Sequence, residues 1–114
     1  MIEKIVLDWL NEQLDVPCYT EEKENMPAVY VLIEKVGGTE ENLIGDATLA
    51  IQSYADTLYK AAELNKRVKR AMKHLIELDV ITRSKRNSDY NYTDTARKIH
   101  RYQAVYDLKY YEEE

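Results

Sequence analysis

Several residue types that stabilise small proteins are scarce or missing in this chain of 114 residues. It contains no phenylalanine, one tryptophan, two prolines, three glycines and a single cysteine, Cys18. One cysteine cannot form an internal disulfide, so a packed core has to hold the fold together. No apolar run reaches the length of a signal peptide core or a membrane span, which predicts a soluble intracellular protein. At this length we expect one domain, residues 1–114.

The residue groupings that usually carry catalysis or bind cofactors are missing as well. Gly37-Gly38 follows a predicted strand, but no Lys-Ser/Thr pair comes after it, so a phosphate-binding loop is not indicated. His74 and His100 have no cysteine or carboxylate at metal-ligand spacing, and no serine has a base or nucleophile-elbow sequence nearby. Cys18 has no histidine partner and is typical of a half-buried structural thiol. We therefore expect no catalytic residue, no metal and no cofactor, and a protein that is not an enzyme.

Charge is unevenly distributed along the chain. Residues 1–46 contain eleven acidic and three basic residues, net −8, whereas residues 47–88 contain four acidic and nine basic residues, net +5. The remaining residues contain six acidic and four basic residues, net −2, which gives the total of −5. A negative total argues against a general nucleic-acid binder. In a monomer the acidic and basic regions can simply face each other or the solvent, whereas in a head-to-tail assembly they would let the acidic surface of one subunit meet the basic surface of the next.

Hydrophobic periodicity predicts two helices and four strands. Helices are expected over residues 2–15 and 57–78, and strands over residues 29–36, 47–54, 80–86 and 99–111. Pro17 stops the first helix, and residues 17–20 can form a further short strand. Asp56 or Thr57 is a natural N-cap for the second helix.

The connections between these elements are predicted to be short. Residues 39–46 form a polar connection, residues 87–89 a turn, and residues 90–97 an irregular segment. The order α-β-β-α-β-β then predicts an α+β fold with a mainly antiparallel four-stranded sheet and both helices packed on one face. In the first strand, Val29, Val31 and Ile33 are expected to face the helices because they share one side of the strand.

Two sets of residues are candidates for contact with a partner. Opposite the apolar stripe of the second helix the sequence places a basic set, consisting of Lys66, Lys69, Arg70 and Lys73. These side chains suit an acidic partner, such as the N-terminal region of another subunit. The ten tyrosines include Tyr102 and Tyr106 on the last strand, and tyrosine suits interfaces because its ring buries area while its hydroxyl stays hydrogen-bonded.

The segments from Val29 onward resemble the tail-terminator (tail-completion) proteins of long-tailed bacteriophages and prophages. The resemblance lies in a strand ending in Gly37-Gly38, a second strand ending in Tyr54-Ala55, and a helix with the small residues Ala61 and Ala62. Near the C-terminus, Asp94-Thr95 followed by Arg101-Tyr102 is similar to the aspartate and Arg-Tyr pattern of the same family. Tyr54 stands where that family commonly has tryptophan.

The resemblance implies a structural subunit of a ring, usually a hexamer, that caps the tail tube, stops its growth and joins it to the head. The implied partners are copies of this chain, the tail tube protein and the head-completion or connector protein, with neither a membrane nor a specific nucleic acid. The implied location is the virion tail or neck, and the host cytoplasm during assembly. Head-tail joining proteins of similar size share these features, so that alternative stays open.

Two further alternatives from other classes also stay open. The basic helix, together with Arg83, Lys85 and Arg86, is compatible with a small regulatory or nucleic-acid-binding module. A small-molecule enzyme or ligand-binding domain would require an enclosed pocket with convergent polar groups.

Overall fold

Two helices cover one face of a five-stranded sheet in the computed structural model, which describes residues 1–112. The elements are α1 (Ile2–Gln13), β1 (Cys18–Tyr19), β2 (Tyr30–Glu41), β3 (Ile44–Ala55), α2 (Leu58–Lys73), a 3₁₀ turn (Leu75–Glu77), β4 (Ile81–Asn91) and β5 (His100–Tyr111). The strand order is β1-β2-β3-β5-β4, and all neighbouring strands are antiparallel except β1 and β2. The predicted α+β class is therefore confirmed.

The sheet differs from the prediction by one strand. Cys18 and Tyr19 pair in parallel with Val31 and Leu32, so the short segment after Pro17 does form a strand and the sheet is mixed rather than four-stranded and antiparallel. The backbone N–H of Val31 also donates to the Pro17 carbonyl at 3.0 Å. This pairing satisfies backbone groups at the start of β2 that would otherwise be buried without a partner.

The core lies between the helices and the sheet, and both helices contribute to it. It contains the expected faces of β2 and β5, and its members include Val6, Leu10, Val31, Ile33, Leu49, Ile51, Leu64, Val68, Ala104, Leu108 and Tyr110. The indole Nε1 of Trp9 donates to the Ala71 carbonyl at 2.9 Å, which ties α1 to α2 inside this core. The apolar stripe of each helix is thus buried against the sheet, as the spacing of apolar residues in the sequence predicted.

Both helices end earlier than predicted. Helix α1 ends at Gln13 rather than at residue 15, and α2 ends at Lys73 rather than at residue 78. After His74 the chain tightens into the 3₁₀ turn, which buries Leu75 completely and leaves Ile76 half exposed. The apolar spacing through Leu78 looked helical because a 3₁₀ turn also brings residues three apart onto the same side.

The polar connection predicted over residues 39–46 is wrong. Strands β2 and β3 continue through it and meet at a two-residue turn, Asn42-Leu43, whose φ angles are 54° and 65°. Two positive φ values are the signature of a hairpin turn that matches strand twist. Backbone pairing with β3, which itself pairs with β5 along this length, extends β2 even though its side chains there are polar and exposed.

The turn predicted at residues 87–89 and the first part of the predicted irregular segment are also wrong. Strand β4 runs to Asn91, with a bulge where the register shifts between Arg86 and Ser88. A bulge places one extra, unpaired residue in a strand while pairing continues on both sides of it. The polar residues predicted to form a turn are therefore accommodated within β4. The chain reverses instead between Asp94 and Ile99, whose backbone groups exchange hydrogen bonds of 2.9 and 3.0 Å.

The face of the sheet away from the helices is covered at one end only. There Tyr30, Leu32 and Tyr54 form a second buried cluster, against which Tyr19, Met26 and Ile99 pack. The rings of Tyr30 and Tyr54 stack with centroids 4.4 Å apart. Toward the other end, β2 is exposed from Glu34 to Glu41.

In the part of the chain that the structure describes, the two outermost long strands, β2 and β4, each have backbone groups that no other strand pairs with. Within residues 1–112, no strand pairs with the outer edge of β2 beyond Leu32, and none pairs with the outer edge of β4. Neither helix of this part of the chain has the length and apolarity needed to cross a membrane.

Candidate subunit interface

Helix α2 presents part of the predicted basic surface to solvent. The Thr57 hydroxyl caps the helix by accepting from the Lys60 backbone N–H at 3.1 Å, which fixes where the helix begins. The buried stripe then turns Lys66, Arg70 and Lys73 outward, and all three are exposed. In the described part of the chain none of these three side chains forms a salt bridge.

Lys69, the fourth residue of the predicted set, is engaged within the molecule. Its Nζ lies 2.5 Å from Asp89 Oδ2 on β4, and Asn65 Nδ2 donates to Asp89 Oδ1 at 2.6 Å. Burial raises the pKa of Asp89, but the hydrogen bonds from Lys69 and Asn65 and the charge of nearby Arg86 outweigh burial and hold the pKa below its ordinary value. Lys69 therefore fastens α2 to β4 and differs from its three neighbours.

Tyr106 does not lie on the surface. Its side chain is 4% exposed, belongs to the core beneath the helices, and has its pKa raised by that burial. Tyr102, four residues earlier on the same face of β5, is only partly buried. The prediction that both tyrosines contact a partner therefore fails for Tyr106 in this conformation, because helix α2 covers β5 along its middle.

A polar network on the helix-free face was not predicted from the sequence. Gln52 Nε2 donates to Gln103 Oε1 at 2.8 Å, the Tyr54 hydroxyl donates to Gln52 Oε1 at 2.9 Å, and Gln103 Nε2 donates to the Tyr90 hydroxyl. Gln52 and Gln103 face each other across β3 and β5, and both are buried. The one sequence signal was a glutamine in the middle of each of two apolar strands, where an unpartnered amide would be costly.

The residues that carry the family resemblance have local structural tasks. Arg101 pairs with Tyr54 across β3 and β5, donates to the Tyr54 hydroxyl at 3.2 Å and lies 4.4 Å from the centre of the Tyr92 ring. The Asp94 carboxylate accepts from the Arg97 backbone N–H at 3.1 Å in the turn that leads into β5. Of the two glycines, only Gly38 has a positive φ, 156°, and a Cβ there would lie 2.5 Å from the Asp46 carbonyl oxygen.

Cys18 and His74 have different surroundings in the structure. Cys18 is buried, and burial raises the pKa of its thiol to about 12, which disfavours the thiolate. His74 Nδ1 lies 2.9 Å from Glu77 Oε2 on the exposed side of the 3₁₀ turn. In this part of the chain no group of three or more His, Cys, Asp or Glu side chains is placed to hold a metal ion.

The two lateral sides of the molecule carry opposite charge. Helix α1 contacts β1 and β2, whereas α2 contacts β3, β5 and β4. The α1-to-β2 segment, residues 2–41, has ten acidic and three basic residues, net −7. The α2-to-β4 segment, residues 58–91, has four acidic and nine basic residues, net +5. The acidic and basic regions of the sequence therefore form an acidic side and a basic side of the folded molecule. The exposed cations of the basic side are Lys66, Arg70, Lys73, Arg83, Lys85 and Arg86.

Fold and surface together describe a two-layer α+β protein with a charged surface on each side. Comparison of the chain with models of known families and with curated protein sequences found no match.

Proposed function

We propose that this chain is a structural subunit of a ring, of the hexameric kind, that terminates the tail tube of a long-tailed phage or prophage and joins it to the head connector. In this role it has no catalytic activity. It works in the virion tail or neck after assembly in the host cytoplasm, and its partners are further copies of itself, the tail tube protein and the head-completion protein.

The observation that carries the proposal is the separation of charge onto two lateral sides. A ring is built from two different patches on each subunit that meet head to tail around a closing axis. An acidic side on α1 and β2 and a basic side on α2 and β4 are two such patches, and their opposite signs favour contact between different sides rather than like sides. The exposed cations Lys66, Arg70 and Lys73 are the predicted contacts on the basic side.

The position of the resemblance residues adds support. Tyr54 and Arg101 come from distant parts of the sequence and contact each other in register, and Gly38 sits where glycine is required. The residues that resemble those of the tail-terminator family thus stabilise this fold, as we expect if this chain and that family have the same architecture.

A tube-capping assay tests the function. The tail tube protein encoded in the same genome is polymerised with and without this chain, and tube lengths are measured by negative-stain electron microscopy. We expect shorter tubes with one end closed by a ring when the chain is present. Tubes of unchanged length with bare ends would refute the proposal.

Charge reversal tests the role of the basic side. The double variant Lys66→Glu/Lys73→Glu is compared with Arg97→Glu/Lys98→Glu, which changes net charge equally but lies in the exposed turn before β5, outside both charged sides. We expect weaker oligomerisation, by sedimentation velocity at low salt, for the first variant alone. An equal loss in both variants would show that net charge, and not this surface, controls association.

The head-tail joining alternative differs in partner rather than in fold. A joining protein binds the head connector and leaves tube growth unchanged, so the capping assay separates the two roles.

One observation favours the nucleic-acid alternative. Arg86 of β4 lies beside the basic helix, since its charge lowers the pKa of the Asp89 carboxylate that Lys69 of α2 contacts. Binding to duplex DNA that falls steeply with rising salt would support that alternative. Absence of binding at low salt would exclude it.

A further inference from the structure

The four long strands of the sheet alternate in direction. Strands β2 and β3 are antiparallel, as are β3 and β5, and β5 and β4. The outermost long strands, β2 and β4, therefore run in opposite directions. When a second copy is displaced sideways along the sheet, its β2 comes to lie antiparallel to the β4 of the first copy, which is the favoured arrangement for strand pairing.

Both of these strands have free backbone groups at their outer edge. The free part of β2 begins after Leu32, and the whole outer edge of β4 is unpaired within residues 1–112. Bulges interrupt β2 between Lys35 and Gly37 and β4 between Arg86 and Ser88. The uninterrupted stretches beside these bulges, residues 37–41 and residues 83–86, are of similar length.

The two stretches carry opposite charge. Glu40 and Glu41 lie on the β2 stretch, and Arg83, Lys85 and Arg86 lie on the β4 stretch, all exposed. Pairing of β4 with a second β4, or of β2 with a second β2, would bring like charges together, and like charges on neighbouring strands are destabilising. Pairing of β4 with β2 brings opposite charges together. The charges therefore select a head-to-tail contact between copies.

The two stretches also overlap in position along the strand direction. Arg83 is opposite Lys109, Lys109 is opposite Asp46, and Asp46 is opposite Thr39. A neighbouring copy placed without a shift along the strands thus brings its Thr39 opposite Arg83 and its Glu40 opposite Ile81, so that Glu41 lies diagonally across from Arg83.

We propose that copies of this chain associate head to tail by pairing the basic edge of β4, residues 83–86, with the acidic edge of β2, residues 37–41, of the next copy. The sheets of successive subunits then form one continuous antiparallel sheet, and the twist between strands turns each subunit relative to the last. This inference rests on the proposed function for closure of the ring, whereas the contact between two copies stands on the edge geometry alone.

A charge-swap experiment tests the pairing. The β2 variant is Glu40→Lys/Glu41→Lys, the β4 variant is Arg83→Glu/Lys85→Glu, and a third variant carries all four changes. Each double variant is expected to weaken self-association about tenfold or more, because it turns the diagonal contact between Arg83 and Glu41 from attraction into repulsion and reverses the charge of one edge. An equimolar mixture of the two double variants, and the fourfold variant alone, are expected to recover association, since every junction again joins opposite charges.

Hydrogen exchange supplies a structural readout on the wild-type chain. Amides of residues 37–41 and 83–86 are expected to become protected when the protein is concentrated, while the turn at residues 94–99 serves as an internal control with unchanged exchange. Circular dichroism confirms that each variant is folded.

The outcomes separate this inference from the proposed function. If the wild-type chain forms oligomers that the double variants do not weaken, or if the edge amides gain no protection, edge pairing is overturned while a ring built through other contacts remains. A wild-type chain that is monomeric at every concentration also overturns edge pairing. Failure of the tube-capping assay with edge pairing intact would instead overturn the proposed function.

Discussion

Replacing Gly37 and Gly38 separately by alanine makes the same chemical change at adjacent positions with opposite expected results. At Gly38 the φ of 156° is a conformation that side chains rarely adopt, and the new Cβ would lie 2.5 Å from the Asp46 carbonyl oxygen, a backbone atom of the central strand β3. Strain at such a position costs about 1–3 kcal/mol. At Gly37 a Cβ meets nothing within 4 Å, and alanine restricts the unfolded chain, which stabilises by about 0.4–1 kcal/mol.

The free energies of unfolding of the two variants should therefore differ by about 2 kcal/mol, with Gly37→Ala the more stable. Urea unfolding measures the difference, followed by fluorescence of Trp9, the only tryptophan, which is buried between the helices. A gap of about 1 M between the two urea midpoints is expected for a protein of this size. Equal midpoints, or Gly38→Ala as the more stable variant, would refute the reasoning from φ and from the contact with Asp46.

Three further measurements follow from the structure. Gly45→Ala should destabilise the fold by about 1–3 kcal/mol through overpacking, since its Cβ would overlap the ring of buried Tyr110, and an unchanged melting temperature would contradict this. The pKa of Asp89 is lowered in the folded state, so the contribution of its carboxylate to stability is present above the ordinary carboxyl pKa and is lost as pH falls below about 4. Asp89→Asn should remove this pH-dependent part of the stability in an acid-unfolding profile. A profile identical to that of the wild-type chain would contradict the role of Asp89. Burial raises the pKa of Cys18 to about 12, so a thiol reagent at neutral pH should react far more slowly with the folded protein than with the urea-unfolded chain, whereas equal rates would show the thiol to be accessible.

The parts of the fold that depend on apolar burial were predictable. The stripes of both helices and the alternation of β2 and β5 identified the core face, because Val31, Ile33, Leu64 and Val68 are all buried where the spacing placed them. The ends of elements were not predictable to the same degree. Residues 39–41 and 87–91 are polar and exposed, and they are strands because a neighbouring strand pairs with their backbone, which side-chain patterns do not report.

The predicted surface residues fared unevenly for a related reason. Helical spacing correctly turned Lys66, Arg70 and Lys73 outward. It could not show that Lys69 reaches Asp89, because that contact depends on where β4 lies relative to α2. Tyr106 was assigned to an interface on tyrosine's general preference, but its place on β5 under α2 buries it.

The uneven covering of the sheet has a consequence for motion. At the end that contains Tyr30 and Tyr54, apolar layers lie on both faces of the strands, whereas the hairpin end around Asn42 has exposed side chains on β2 and no second layer. Local unfolding is easiest where little apolar area is buried, so the hairpin should fray from its turn inward while the tyrosine end stays closed. The molecule therefore combines a rigid anchor and an adaptable tip in one pair of strands, and a partner can reshape the tip without disturbing the core.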